Sequence, residues 1–258
     1  QNGNITYVDQ HVDHEQEVFF MRLECTFEKT NPSKNDLKQL FDASVAQQFQ
    51  MNWNLFDVET LPKMALFVSK YDHCLYDILG RFKSGELQVE IPFVVSNHMD
   101  LKPIADGFDI PFFHVPVTSE IRTEAEQAHL ILLKEHQIDF IVLARYMQII
   151  PQGLIDVYPS KIINIHHSFL PAFVGAKPYH SAFKRGVKII GATSHYVTTE
   201  LDAGPIIEQD VVRVSHTHTI KDLISKGRDL EKIVLSTAIK HHVDQKVMVY
   251  GNKTVVFS

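Results

Sequence analysis

Residues 161–175, with the sequence KIINIHHSFLPAFVG, determine how the rest of the chain is interpreted. The stretch starts with β-branched isoleucines, which are typical of a buried strand, and turns polar before Pro171. Alternate side chains of a strand share a face, so we expect Asn164 and His166 to point the same way. An open α/β sheet places its chemistry at the carboxyl ends of such strands. The alternative is that both residues only make a turn.

These residue types suit acyl chemistry. Asn164 can donate a hydrogen bond to a developing oxyanion, and His166 can carry a proton near neutral pH. A third polar group lies in LDAGP at 201–205, where Gly and Pro favour a tight loop that can aim a short carboxylate inward. Asp202 would then orient and polarise an attacking water. An Asp in such a loop is more often a turn or capping residue, so the interpretation requires the loops to meet.

The segment 61–258 has the pattern of an α/β protein. Continuously apolar runs such as Met64–Val68 and Phe140–Ala144 alternate with helical patterns, including a long one at 120–137 that Ser119 could cap. A strand pair at 188–197 and 205–214, a helix at 219–241 and a hairpin turn at 250–252 complete it. The alternation predicts a mostly parallel, doubly wound sheet that forms the catalytic domain.

Residues 1–60 have a different pattern, in the order β-β-α-β. An alternating strand at 19–27 precedes a helix that Ser33 or Asn35 can cap, and residues 52–58 are predicted to form the closing strand. A half-exposed unit of this size buries too little apolar surface to be stable alone. We therefore expect it to be covered by a partner surface, which makes a homo-oligomer the expected state.

Composition limits the classes of partner. The net charge of −6 and the lack of a long basic run argue against nucleic acid and membrane surfaces. Cys25 and Cys74 form no metal or redox motif, and no signal peptide or membrane span is visible, so a cytoplasmic location is expected. The first residue is Gln1 rather than Met, so residues upstream could be missing.

Fifteen histidines raise the question of a metal. None of the dense groups has two His at i and i+4 with a Glu between them, the spacing of a zinc hydrolase. His166 and His167 are adjacent in a strand and would point opposite ways. We therefore expect no catalytic metal.

Four segments resemble a known family. NIHHSFLPAFVGAKPYHSA (164–182) and SHYVTTELDAGPIIEQD (194–210) look like the signature of the folate-dependent formyltransferase superfamily, with its Asn-x-His pair and Leu-Asp-x-Gly-Pro loop. LARYMQII (143–150) and VDHEQEVFFMR (12–22) fit its deformylase members, in which an ACT domain precedes the catalytic domain. Residues 1–60 would then be an ACT-like (ferredoxin-like) domain that lacks its first strand and helix.

The resemblance implies hydrolysis of 10-formyltetrahydrofolate to formate and tetrahydrofolate, which supports purine synthesis and one-carbon balance. The folate is the substrate, so no cofactor is implied. Asn164, His166 and Asp202 take the catalytic roles, and His195 supports the Asp. Gln148 stands where relatives often have Arg, which leaves open any ion pair from this position to the folate tail. The residues that would bind the substrate are Leu143, Tyr146, Met147, Gln148, Ile149, Ile150, Ile162, His195, Val197, Thr198, Thr199 and Leu201.

The acceptor of the formyl group can also be inferred. The related glycinamide ribonucleotide transformylases bind a phosphate on a Gly-rich loop after the first strand. Here residues 69–74 contain no Gly and carry an Asp, which predicts that no phosphate-bearing acceptor sits there and that water attacks. Two alternatives remain: transfer to an amine such as glycinamide ribonucleotide, or a non-catalytic sensor of folate or of an amino acid. An amino-acid effector could bind the ACT-like domain, although no residue can be assigned to it.

Overall fold

A computed structural model describes residues 3–27, 33–172 and 178–258 of the chain. Its contacts divide the chain into two units. The small unit comprises Gln1–Leu61 with Phe257–Ser258, and the large unit comprises Pro62–Val256. Residues 31–33, Asn-Pro-Ser, predict a turn, but residues 31–32 lie outside the described residues, as do residues 173–177 of the signature stretch.

The large unit contains a seven-stranded sheet in the order β5-β4-β3-β6-β7-β8-β9. The first five strands in that order pair in parallel, whereas β7, β8 and β9 pair antiparallel. The mostly parallel sheet predicted from the sequence is confirmed. The strands are β3 (Met64–Val68), β4 (Val94–Ser96), β5 (Phe112–His114), β6 (Phe140–Ala144), β7 (Ile162–His166), β8 (Ile189–Tyr196) and β9 (Ile206–Arg213).

Helices cover both faces of this sheet. Apolar residues of α2 and α7 pack in one buried cluster with β3 and β6, and those of α4 and α5 pack in a second cluster with the same strands. Central strands covered on both sides are expected to be apolar throughout, and all five residues of β3 and of β6 are buried. The helices are α2 (His73–Lys83), α3 (Lys102–Gly107), α4 (Arg122–Glu135), α5 (Gln152–Val157), α6 (Pro178–Arg185) and α7 (Ile220–Val243), and a hairpin of β10 (Val247–Tyr250) and β11 (Lys253–Val256) follows.

Two details of the large unit differ from the prediction. The apolar run 89–95 predicts one strand, but only its end pairs, as β4, after an isolated bridge at Glu90. The long helix α4 begins after Ile121 and has no side-chain cap, so Ser119 is not the N-cap. Both differences arise at element ends, where sequence patterns are weakest.

The chain changes direction within the sheet between β3 and β6. β4 and β5 lie on one side of β3, whereas β6 and β7 lie on the other. Loops that leave such neighbouring strands part from each other and open a crevice at their carboxyl ends. Ser69 spans this crevice: its hydroxyl donates to Asn97 Oδ1 at 2.7 Å and accepts from the Met147 N–H at 3.0 Å. Loops from three strands are thereby held together.

The small unit contains an antiparallel pair, β1 (Asn4–Asp13) and β2 (Val18–Thr26), followed by α1 (Lys34–Phe41) and a π-helical turn at Asp42–Ala46. Ser33 caps α1, and its side chain and that of Asp36 form a capping box. Residues 52–58 form no strand, so that prediction is wrong. A strand needs a hydrogen-bonded neighbour, and within the described part of this unit only β1 and β2 pair.

Across the described residues, none of the helices is long and apolar enough to cross a membrane.

Candidate active site

Asn164 and His166 lie at the carboxyl end of β7, as the sequence predicts. β7 is held between β6, in parallel, and β8, antiparallel, in a register that places Asn164 opposite His195 and His166 opposite Thr193. His166 is 5% exposed and His195 only 2%, so both imidazoles are fixed inside the fold. The sheet register therefore fixes His195, about 30 residues away in sequence, beside the Asn164 and His166 pair.

The loop between β8 and β9 supplies Asp202. Asp202 has a φ of +55°, a left-handed conformation that Asp tolerates better than most residues. The loop then turns back so closely that a Cβ at Gly204 would lie 1.8 Å from the carbonyl oxygen of Tyr196. Only glycine fits there, which gives the Gly of LDAGP a physical role. The turn-back lets the Tyr196 N–H donate to the Pro205 carbonyl at 2.9 Å.

The structure brings Asn164, His166, His195 and Asp202 together. His166 Nδ1 lies 3.2 Å from Asp202 Oδ2, and His195 Nε2 lies 3.6 Å from Oδ1 of the same carboxylate. Asn164 Nδ2 lies 3.2 Å from His195 Nε2. One carboxylate thus faces two imidazoles, and one of these also contacts the amide.

Hydrogen-bond partners assign the protons on the two rings. His195 Nδ1 is 2.9 Å from the Tyr196 carbonyl oxygen, which can only accept, so this nitrogen carries a hydrogen. In the neutral ring, Nε2 then accepts from Asn164. His166 donates from Nδ1 to Asp202, and among the described residues its buried Nε2 has no hydrogen-bond partner. That nitrogen is therefore available to exchange a proton with a bound substrate or water.

Electrostatics keep Asp202 ionised. Burial alone would raise the pKa of this carboxyl, but the hydrogen bond from His166 and the proximity of the His195 ring outweigh burial and hold its pKa well below the usual range. A carboxylate of this kind is a poor base and a good partner for an imidazolium. Burial, reinforced by the positive charge of Arg145, lowers the pKa of His167 to about 4. The ring next to His166 is therefore neutral at pH 7.

Comparisons with known proteins identify the family of this chain. Residues 62–239 match the family model described as formyl transferase. A formyltetrahydrofolate deformylase from Synechocystis is 52% identical over 99% of this chain and 89% of its own length. The chain belongs to the formyltetrahydrofolate deformylase family.

Solved structures support the same family. A formyltetrahydrofolate deformylase from Pseudomonas syringae is 48% identical, with a TM-score of 0.95 over 100% of this chain and 86% of that one. A glycinamide ribonucleotide transformylase from Symbiobacterium toebii matches less well, with 26% identity and a TM-score of 0.72. The match covers 81% of this chain and 99% of the transformylase chain. The deformylase family thus shares its fold with transferases.

Two segments expected to hold the folate flank this site: the first is residues 143–150, and the second is residues 197–201. Val197 continues from β8 and donates its N–H to the Ile162 carbonyl at 2.8 Å, which ties the second segment to β7. Thr198 donates its hydroxyl to the Glu200 carbonyl at 3.1 Å, and Thr199 follows it in the same loop. Leu143, Tyr146, Ile150 and Ile162 are buried, whereas Met147, Ile149 and Leu201 are exposed apolar residues.

A cavity lies beside the first of these segments. Tyr146, Gln148, Ile149 and Ile150 line it together with side chains of α4, which include Arg122, Glu126 and His129. Gln148 itself is neutral, but Arg122 lines the same cavity and provides a cation close to it. Sequence reasoning did not identify Arg122, because it lies on α4, whereas Gln148 lies in the loop after β6.

A second polar cluster was also missed. Glu231 on α7 is only 1% exposed, and it contacts His73, Arg145 and Tyr179. One signal was present in the sequence: an acidic residue on the apolar stripe of a long helix, next to Leu230 and one turn from Val234 and Leu235. Its partners could not be read from the sequence, because they come from three other elements.

Two residues of this second cluster, His73 and Glu231, have metal-ligating atoms close to that of the neighbouring Cys74. Atoms of His73, Cys74 and Glu231 lie within 4.8 Å of one another. The carboxylate is already engaged by His73, by the Tyr179 hydroxyl and by the Arg145 cation, and a cation beside it opposes metal binding. Burial and the charge of Glu231 also raise the pKa of the Cys74 thiol, which disfavours the thiolate that a metal requires.

Proposed function

We propose that this chain hydrolyses 10-formyltetrahydrofolate to formate and tetrahydrofolate at Asn164, His166 and Asp202. The observation that carries the proposal is His166 Nε2, which has no partner among the described residues. The other nitrogen of the ring is held by Asp202, and the ring lies beside an amide donor. The names of the relatives from Synechocystis and Pseudomonas syringae support the reaction. The roles of the residues rest on geometry.

The geometry supports a metal-free general-base mechanism. A water bound near Asp202 loses a proton to His166 Nε2 as its oxygen bonds to the formyl carbon. The carbonyl oxygen becomes an oxyanion and accepts a hydrogen bond from the Asn164 N–H that does not face His195. When the tetrahedral intermediate collapses, the bond from carbon to N10 breaks, and His166 returns the proton to N10. Asp202 stabilises the imidazolium between these steps.

The experiment that tests this function is formate release from 10-formyltetrahydrofolate without an amine acceptor and with a metal chelator. We expect formate and tetrahydrofolate in equal amounts, and no loss of rate with the chelator. Formation of tetrahydrofolate only when an acceptor is added would contradict hydrolysis. The likeness to the transformylase from Symbiobacterium toebii favours transfer to glycinamide ribonucleotide as the second candidate, so this compound is the acceptor to test.

We further propose that residues 1–60 form an ACT-like domain through which two copies of the chain associate, and that 61–258 form the catalytic domain. Apolar side chains on one face of the β1–β2 pair are exposed within a single chain, with Ile5 58%, Phe19 53% and Leu23 43% exposed. Val8 pairs with Leu23 and Val12 with Phe19, so these residues form a continuous patch. A second copy of the same face would bury it. An amino-acid effector at this domain is an additional proposal that no described contact tests.

Self-association can be tested with a charge on that patch. Leu23→Lys should lower the mass found by light scattering to that of one chain, because a lysine cannot be buried unpaired in a symmetric interface. Lys38→Glu, at an exposed position of the helix α1, is the control for a simple charge change. A monomeric wild-type chain would contradict the proposal.

A cytoplasmic location is proposed as well. Cys25 and Cys74 are free thiols in the described part of the chain, as a reducing compartment would leave them.

A further inference from the structure

A hairpin outside the seven-stranded sheet contacts the loop of residues 197–205 that carries Asp202, which we call the Asp202 loop. β10 and β11 form this hairpin as a two-stranded sheet of their own, and β11 lies against β9. Val247 and Val249 of β10 pack against the buried cluster that contains β3 and β6. The hairpin is therefore anchored on the core of the large unit and can serve as a fixed support for the loop.

Two side chains of the hairpin donate hydrogen bonds to the backbone at the end of this loop. Asn252, in the turn, donates from Nδ2 to the Ala203 carbonyl at 2.8 Å. Thr254, on β11, donates its hydroxyl to the Ile206 carbonyl at 2.5 Å. Ala203 directly follows Asp202 in the chain, and Ile206 begins β9. The hairpin therefore holds the chain at two points close to the carboxylate.

The backbone conformation of Asp202 requires such support. Its φ of +55° is left-handed, and a residue other than glycine keeps this conformation only when its surroundings restrain it. Within the loop, the Ala203 N–H donates to the Glu200 carbonyl over 3.4 Å, which is long for a hydrogen bond. The bond that the Ala203 carbonyl accepts from Asn252 is 2.8 Å long. The hairpin therefore provides the closer restraint on the residue after Asp202.

The second hydrogen bond lies where the sheet ladder is irregular. The pairing of β8 with β9 shifts between Ser194 and His195, so that His195 pairs with Ile206 and not with Ile207. A shift of this kind disrupts the ladder locally, and near an active site it can re-aim a side chain. Thr254 provides a hydrogen bond to Ile206 at this point, which fixes the strand end opposite one of the two histidines that face Asp202.

The two ends of the Asp202 loop have different anchors. Val197, at its start, donates its N–H to the Ile162 carbonyl of β7 at 2.8 Å, so the end expected to hold the folate does not depend on the hairpin. Asp202 Oδ2, near the other end, lies 3.2 Å from His166 Nδ1. A displacement of a catalytic group by about 1 Å can cost on the order of 10²-fold in rate. Loss of the hairpin contacts should therefore affect kcat more than KM.

We propose that the hairpin β10–β11 holds the Asp202 loop in its active conformation, and that Asn252 and Thr254 are positioning residues for the Asp202 carboxylate. Both act through backbone carbonyls and not on the substrate. The inference rests on the proposed hydrolysis, because it states what keeps one of its catalytic groups in place.

Amide hydrogen exchange, followed by mass spectrometry, tests the support of the loop without turnover. Asn252→Ala removes one donor, and Thr254→Val replaces the other by a methyl group of similar shape. Each variant should speed exchange in the peptide that covers residues 197–205 by roughly 2–10-fold, the factor that corresponds to one lost hydrogen bond. Exchange in the peptide that covers β7 should not change. If exchange in the loop is as slow in both variants as in wild type, the proposal is wrong.

Kinetics of the same variants test the effect on the reaction. kcat for formate release should fall roughly 2–10-fold in Asn252→Ala and in Thr254→Val, with a smaller change in KM. Asn252→Gln and Thr254→Ser are the matched controls: they keep the donors, Asn252 is exposed and leaves room for the longer side chain, and both should be close to wild type. A lower melting temperature with an unchanged kcat per folded molecule would show a purely structural role and overturn the proposal.

A double-mutant cycle shows whether the hairpin acts through Asp202. In the background of Asp202→Asn, the change Asn252→Ala should lower kcat no further, because the charge that it positions is already absent. An undiminished effect in that background would mean that the hairpin acts on another group, and the proposal would be overturned. Absence of any formate release by wild type would instead refute the proposed function, and the exchange measurement would still decide whether the hairpin holds the loop.

Discussion

Two carboxylates, Asp202 and Glu231, lie near the carboxyl edge of the same sheet and have similar partners, but only Asp202 belongs to the proposed catalytic site. Asp202 faces two imidazoles, whereas Glu231 faces one imidazole, one guanidinium and one phenol. Hydrogen bonds and nearby cations lower the pKa of both despite burial. The side chain of Asp202 is 14% exposed, and its partner His166 keeps one nitrogen unpartnered among the described residues. The side chain of Glu231 is 1% exposed, and both of its oxygens are engaged.

The difference shows what makes a buried charge cluster catalytic. The Glu231 carboxylate has both oxygens engaged and a side chain that is 1% exposed, so it stabilises one arrangement of the chain and is out of reach of a substrate. The Asp202 cluster instead lies at the end of β7, beside an amide donor, and it holds His166 with Nε2 unpartnered among the described residues, so it can move a proton. Substitutions around Asp202 should therefore lower turnover more than stability, and substitutions around Glu231 should lower stability more than turnover.

Asp202→Asn should have the largest effect on turnover. The amide keeps the shape but loses the charge that stabilises the imidazolium, and kcat should fall on the order of 10³–10⁴-fold while tetrahydrofolate still binds. Steady-state kinetics and equilibrium binding of tetrahydrofolate measure the two quantities. Asp210→Asn, which changes an exposed carboxylate on β9, is the matched control and should be close to wild type. Near-normal activity in Asp202→Asn would contradict the assigned role.

Asn164→Ala should reduce kcat on the order of 10²-fold, the usual cost of one oxyanion donor, with little change in KM. Asn35→Ala, at an exposed position of α1, serves as the control for loss of an amide. An increase in KM alone would mean that Asn164 binds the ground state and not the transition state.

The histidines of the two clusters should separate by their pH behaviour. His166→Ala should remove the limb of the pH–rate profile near neutrality, because the group that exchanges the proton is lost. His73→Ala should leave the shape of that profile unchanged and destabilise the protein instead, by about 1–3 kcal/mol, because the Glu231 carboxylate loses one hydrogen bond. An unchanged profile in His166→Ala would assign proton transfer to another group.

The smallest effect expected is on acid stability. Folding lowers the pKa of Glu231 below its ordinary value of 4.5 and that of Asp202 below 3.8, so their contribution to the free energy of unfolding is present above those values. It is lost as pH falls through the lower, folded pKa values. The free energy of unfolding of Glu231→Gln can be measured with urea, in about 1 M steps, between pH 5 and 2. It should fall less steeply with decreasing pH than that of wild type. An identical slope would mean that Glu231 is not ionised in the folded protein.

Much of the large unit could be predicted from the sequence because its strands are covered on both faces. β3 and β6 are continuous apolar runs, and a run of that kind is easily located. In the small unit the predicted strand at 52–58 is absent, because strand formation depends on pairing and not on the alternation of one segment. The assignment of residues 1–60 as ACT-like remains a prediction.

The sequence by itself determined that Asn164 and His166 share a face at the end of a strand, because the period of a strand is two residues. It also contained the long signature segments of the formyltetrahydrofolate deformylase family. Only the tertiary structure decided that Asp202 reaches both histidines, since that depends on the β7–β8 register and on the loop that turns back at Gly204. It alone assembled His73, Arg145, Tyr179 and Glu231. Contacts between distant segments depend on how elements pack, and no local pattern encodes that.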